Sequence, residues 1–197
     1  MSNETCNELK EKMFDFAYLM ALGDATARVS SKGEKDTLKN NEKMKEDVKE
    51  YIDGIFEGKK IDTIDVINQV IKEVNTDSFT FGKAQKLVNM TAKYMYLSCY
   101  SDMGKRKLFK NCHCPMDRIM IKRITDRIRE QHDGKMTDKY KLPDESKGWS
   151  SVSWSKITEK HTKDKTDVDV YNTFQEMARD LADDMGVSPL ELDILLW

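Results

Sequence analysis

Apolar residues recur at helical spacing along almost the whole chain, and this period constrains the fold more than any other feature. From Glu4 to Val29, the residues Leu9, Met13, Phe16, Ala17 and Met20 fall on one helix face, with Gly23 and Gly33 marking a weak end. From Asp36 to Glu57 the stripe is Met44, Val48, Tyr51, Ile52 and Ile55, and Gly58 ends it. Asp62 or Thr63 can open the next helix, whose stripe is Ile64, Ile67, Val70, Ile71 and Val74. Lys83 to Tyr100 turns Ala84, Leu87, Val88, Tyr94 and Met95 inward. Pro115 suits the first position of a further helix carrying Ile121, Ile124 and Ile128. Thr166 caps the strongest stripe, formed by Val170, Tyr171, Phe174, Met177, Ala178, Leu181 and Met185, and Gly186 closes it. Ser188-Pro189 opens a last helix, with Ser as N-cap and Pro as first helical residue. No segment alternates with a period of two, so the expected fold is all-α.

Composition agrees with a globular helical chain. The 197 residues are 39% hydrophobic and 35% charged, with three Pro and nine Gly, too apolar for a disordered chain and poor in helix breakers. Between the helices, Asn75 to Phe81 reads as a turn or hairpin and Asp102 to Cys114 as a basic loop. Residues 132–165 are polar, with Gly134, Pro143 and Gly148, and only Trp149 and Trp154 as large apolar anchors. They read as a long loop with a short helix near Trp154.

Several classes fall away. The longest apolar run near the start, Phe16 to Leu22, is far too short to span a bilayer, so no membrane partner is expected. No basic start followed by an apolar stretch and a small-residue cleavage site is present, so no secretion is expected. Cys6, Cys99, Cys112 and Cys114 then read as reduced thiols of a cytoplasmic protein. Adjacent ligands in Cys112-His113-Cys114 would point apart on an extended segment, so neither a metal nor a cofactor is expected. No Walker loop, dinucleotide fingerprint or internal repeat occurs.

Charge becomes informative when it is divided. Gly82 to Glu130 holds twelve Lys or Arg against four acids, a local +8 in a chain of net −2. Such a stretch can face phosphates, or it can be a solvated surface paired with acidic helices elsewhere. Within it stand a lysine-bearing helix head, Gly82-Lys83-Ala84-Gln85-Lys86, and a Pro115-Met116-Asp117 helix start. The chain closes on Asp193-x-x-x-Trp197. A buried lysine is a nucleophile once it is neutral. A carboxylate at a helix start can stabilise a neighbouring cation. An aspartate one turn before a tryptophan can hydrogen-bond a flat ring on which the indole stacks. Each also has a plainer reading: a surface lysine, an ordinary cap, and a packing tryptophan.

Taken together, order and spacing resemble the helix-hairpin-helix DNA glycosylases, most closely the archaeal 8-oxoguanine glycosylases. The resemblance covers about Thr76 to Arg129 and Ser188 to Trp197. In that family a hairpin leads into the helix of the catalytic lysine, and a later Pro-x-Asp helix start supplies an essential aspartate. Lys86 and Asp117 take those places here. The ending Pro189-Leu190-Glu191-Leu192-Asp193-Ile194-Leu195-Leu196-Trp197 is similar to the family's last helix. The resemblance implies a single two-lobed helical domain, with a central lobe of about 62–131 and a second lobe from 1–61 and 132–197. It implies a monomer acting on double-stranded DNA with a modified base, best 8-oxoguanine. Asp193, Trp197 and Pro115 would hold the base. Gly82, Lys83, Lys105, Arg106, Lys107 and Lys110 would contact DNA. Departures are visible: the hairpin has one glycine where the family has two, and no tryptophan precedes residue 149 to form a second stacking wall.

The chemistry is self-consistent. Cleaving an N-glycosidic bond builds positive charge on the sugar. An amine captures C1′ as a Schiff base, and β-elimination can then nick the strand. Lys86 must be neutral for this, through burial, the positive end of its helix and repulsion from Lys83 three residues earlier. Asp117, at about the third position of its helix and held by orphan N–H groups, would stay ionised to offset the sugar cation. The alternative is a non-catalytic helical module that binds nucleic acid or protein. A purely structural helical protein is a third reading.

Overall fold

A computed structural model of the chain describes residues 3–27, 32–76, 78–133, 139–140, 154 and 167–197. Every element among them is helical, in keeping with the all-α expectation. None of the described helices is long and apolar enough to cross a membrane.

The chain groups into two compact units. The first comprises Met1–Phe79 and Lys83–Phe109, the second Thr80–Gly82 and Lys110–Trp197. This is not the 62–131 lobe read from sequence, because residues 63–74 pack on residues 42–56 while residues 118–131 pack on the last two helices.

In the first unit α1 is Asn3–Thr26, α2 Lys32–Lys39, α3 Glu42–Phe56 and α4 Thr63–Val74. The single helix expected over Asp36 to Glu57 is broken at Asn40–Asn41. The Asn41 side chain accepts from the Met44 N–H at 3.0 Å and caps α3, while its amide donates to the Glu73 carbonyl at 3.2 Å. The α3 stripe is as expected, with Met44, Val48, Tyr51, Ile52 and Ile55 buried. Asp62 caps α4 through Ile64 N–H at 2.8 Å. Asn75 ends it in the left-handed region at φ 46°, one of the few side chains that tolerates it.

Helix α1 reverses the sequence reading. Leu9, Met13, Phe16 and Met20 are exposed, and of the residues read as inward only Ala17 is buried. Phe14, Tyr18, Ala21, Leu22 and Ala25 form the buried side. The alanines let neighbouring helices approach closely, which the bulkier stripe does not.

Helix α5, Phe81–Ser98, spans both units. Its first-unit part buries Ala84, Leu87, Val88 and Met95 as expected, and Tyr94 donates to Asp24 at 2.6 Å. The expected basic loop is instead ordered as α6, Met103–Arg106, and a 3-10 helix, Lys107–Asn111, capped by Asp102 through Lys105 N–H at 3.0 Å.

In the second unit α7 is Arg118–Gln131, α8 Asp167–Met185 and α9 Pro189–Leu196. Ile121, Ile124 and Ile128 are buried. So is the α8 stripe from Val170 to Leu181, but Met185 is 45% exposed. Gly186, at φ 68°, closes α8, and Val187 N–H returns to the Ala182 carbonyl at 2.9 Å. Ser188 and Glu191 form a capping box with Pro189 as first residue, as read from sequence. The Thr166 cap, Trp149 and most of the 132–165 segment lie outside the described residues. Lys139 reaches Asp180 at 2.5 Å, and Trp154 is buried against Tyr171 and Phe174.

Candidate functional site

Lys86 lies in the second turn of α5, in the first unit. Lys83, Lys86, Met90 and Lys93 form one half-buried strip along that helix, as their spacing demands. The α5 N-terminus is two residues earlier than expected. Its dipole field, which decays within the first turn, therefore acts on Lys83 more than on Lys86. The Lys83 ammonium closes the 75–80 turn by donating to the Ser78 carbonyl, and the Ser78 hydroxyl donates to Glu34. Beside Lys86, Gln85 and Asn89 are fully buried, and the Asn89 amide donates to Gln85 Oε1 at 3.1 Å. Gly82 is not a left-handed turn residue. It sits within the first turn of α5 and is buried.

Of the basic residues, Arg106 is committed inside the first unit. Its guanidinium donates to Tyr96 Oη at 2.8 Å and stacks 4.7 Å from the Tyr96 ring centroid. Lys105 pairs with Asp102 at 3.3 Å. Lys107 and Lys110 are exposed and make no ion pair among the described residues.

The second unit holds the aspartates. Asp117 is the N-cap of α7 and not its third residue, with backbone at φ −139° and ψ 179°. Its Oδ1 accepts from Ile119 N–H at 2.9 Å and Met120 N–H at 3.0 Å. Pro115 therefore precedes the helix and does not open it; it is buried in the non-helical lead-in. A side chain that satisfies two orphan donors fixes the helix start more strongly than proline's pre-set φ. On α9, Asp193 is 3% exposed and Trp197, one turn later, is 73% exposed. The Arg123 guanidinium of α7 donates to the Trp197 carbonyl, tying the end of α9 to the second turn of α7.

A clamp that the sequence reading missed holds the lead-in to Asp117. Gln175, fully buried, accepts from Cys114 N–H at 3.0 Å and donates to the Cys114 carbonyl at 2.7 Å. His113 Nδ1 meets the Tyr171 hydroxyl at 2.7 Å, and the Arg179 guanidinium meets Nε2 at 3.2 Å. Arginine only donates, so Nε2 accepts and the Nδ1–H donates to Tyr171. Tyr171, Gln175 and Arg179 stand at i, i+4 and i+8 of α8 and present one face to the lead-in. The available signal was Gln175 itself, an amide inside an otherwise apolar stripe. Cys112 and Cys114 are buried free thiols, and no described cluster of His, Cys, Asp or Glu could hold a metal ion.

A cleft of about 600 Å³ lies on the first unit between α3 and α4, and none of the residues above lines it. Asp47, Glu50, Asp53, Glu57 and Asp65 face it, against Lys59 alone. Five carboxylates repel phosphate, so this cleft does not serve a nucleic acid. Lys86 and Lys83 thus belong to the first unit, and Gly82, Pro115, Asp117, Asp193 and Trp197 to the second. No family model, curated protein or solved structure matches the chain.

Proposed function

We propose that the protein is a DNA glycosylase of the two-lobed helix-hairpin-helix kind, with Lys86 as nucleophile and Asp117 as the charge that offsets the sugar cation. The reading carries with it AP-lyase activity on duplex DNA bearing an oxidised or otherwise modified base, best 8-oxoguanine.

One observation carries it. An exposed tryptophan caps the short helix α9, one turn beyond the buried aspartate that the helix carries. Leaving an indole in water forgoes roughly 2 kcal/mol of burial, so Trp197 is not explained as packing. A flat apolar surface beside a carboxylate suits a purine, whose ring stacks and whose N–H groups donate. Asp117 supports the reading less specifically, because two backbone donors hold its carboxylate in place. The exposed Lys107 and Lys110 would serve a non-catalytic DNA-binding module equally well, and that is the second reading.

A panel of modified-base duplexes separates the two. Abasic product together with a borohydride-trapped adduct is expected for the enzyme. Salt-dependent binding with neither product would leave only the binding module.

A further inference from the structure

We propose that the solvent face of α1 is an interface with a second copy of this chain, packed antiparallel. The proposal does not depend on the glycosylase reading, and it departs from the monomer expected from sequence. Helix α1 has two apolar faces. Tyr18, at the centre of the buried face, and Phe16, at the centre of the other, lie roughly 200° apart around the helix. On the second face Leu9 is 49% exposed, Met13 41%, Phe16 66%, Leu19 48% and Met20 45%. Soluble proteins scatter such residues singly; here they are contiguous.

Spacing, area and charge identify the occupant. Leu9, Met13, Phe16 and Met20 follow intervals of four, three and four, the seam that one helix presents to another. The five half-exposed side chains offer roughly 500 Å² of surface, and two such faces together reach about 1,000 Å², the lower bound of a specific interface. Lys10 and Lys12 share the flanks with Glu8 and Asp15, so the rim has both signs and complements itself better than it complements an anionic lipid surface. A twofold axis between Met13 and Phe16 sets Met13 against the partner's Phe16, and Leu9 against the partner's Met20. It also brings Lys12 towards the partner's Asp15. That carboxylate is 38% exposed and already pairs with Lys45 at 2.8 Å, with room to accept a second ammonium.

The test is sedimentation of the full chain from about 5 to about 200 µM, a range that brackets a micromolar Kd. The wild type should move from monomer to dimer. Phe16→Glu and Met13→Lys, both at exposed positions, should each raise Kd at least about tenfold while helicity by circular dichroism is unchanged. Mixing the two variants should restore dimers, because the antiparallel register sets the new lysine against the new glutamate. A wild type that stays monomeric, or variants that dimerise as well as it does, would overturn the proposal. A mixture that fails to rescue would overturn the antiparallel register. Wild type that is monomeric and floats with phosphatidylserine vesicles would show a lipid-contact face in place of the dimer.

Discussion

Replacing Asp117 with asparagine separates two jobs that its carboxylate would hold at once. The Oδ1 atom caps α7 through two amides, at 2.9 and 3.0 Å. Asparagine presents an equivalent oxygen and is an equally good N-cap. Asp117→Asn should therefore leave stability nearly unchanged. Asp117→Ala removes both bonds and should cost about 1 kcal/mol, or roughly 2–4 °C in Tm for a chain of this size. In excision the ranking changes. Both variants lack the anion that would offset the sugar cation in the proposed reaction, and preorganised charge of that kind is worth about 10²–10³ in rate. Thermal unfolding and single-turnover excision on a responsive duplex read the two axes separately. If Asp117→Asn excises at the wild-type rate, the residue is a cap only and its catalytic role is refuted. If it destabilises as much as Asp117→Ala, the capping argument fails instead.

Lys86→Gln should fold and bind DNA but lose the borohydride-trapped adduct, since an amide forms no Schiff base; Lys83→Gln and Lys93→Gln on the same strip are the controls, and an adduct that survives Lys86→Gln but is lost in one of them would move the nucleophile to that residue. Trp197→Ala should keep its Tm, because the indole is 73% exposed, yet weaken modified-base recognition by roughly 1–3 kcal/mol; loss of Tm with selectivity intact would restore the packing explanation. For Asp180, burial acts to raise the carboxyl, but hydrogen bonds from Lys139 and Tyr140 outweigh it and hold it below its ordinary range. A depressed carboxyl stabilises the fold above its unfolded value of about 3.9, and that stabilisation is lost as pH falls below it. Asp180→Asn should flatten the acid limb of Tm against pH, and an unchanged limb would show that the pairing does not contribute.

Much of the fold is legible in the sequence wherever one helix face is apolar and the other charged. The α3, α7 and α8 stripes are single, so their period decides both the existence of the helix and the side that is buried. Caps are legible where side chain and position are both specific, as at Asp62 and in the Ser188–Glu191 box. The α2–α3 break is less so, because an Asn-Asn pair in a charged stretch fits a helix as well as a cap until the distant Glu73 carbonyl is known to accept from Asn41. At the candidate site the sequence indicates which residue types stand in line, but not the Gln175 and His113 clamp. That clamp joins residues about sixty apart, and no local period encodes such a pairing.

The α1 error has a different origin and carries further. Two apolar stripes lie on opposite sides of that helix, and a 3.6-residue period fits both equally. Both stripes carry large side chains, Leu9, Met13, Phe16 and Met20 on one and Phe14, Tyr18 and Leu22 on the other, so transfer free energy alone does not choose between them. Burial follows the stripe in which Ala17, Ala21 and Ala25 interleave with Phe14, Tyr18 and Leu22, and those small side chains let a neighbouring backbone approach. A chain that buries one stripe leaves the other in water, and each large apolar side chain so placed forgoes roughly 1–2 kcal/mol. The unfolded chain exposes the same residues, so the fold itself is not strained by them. In the proposed dimer they supply the association free energy, released when a second surface of the same spacing covers them.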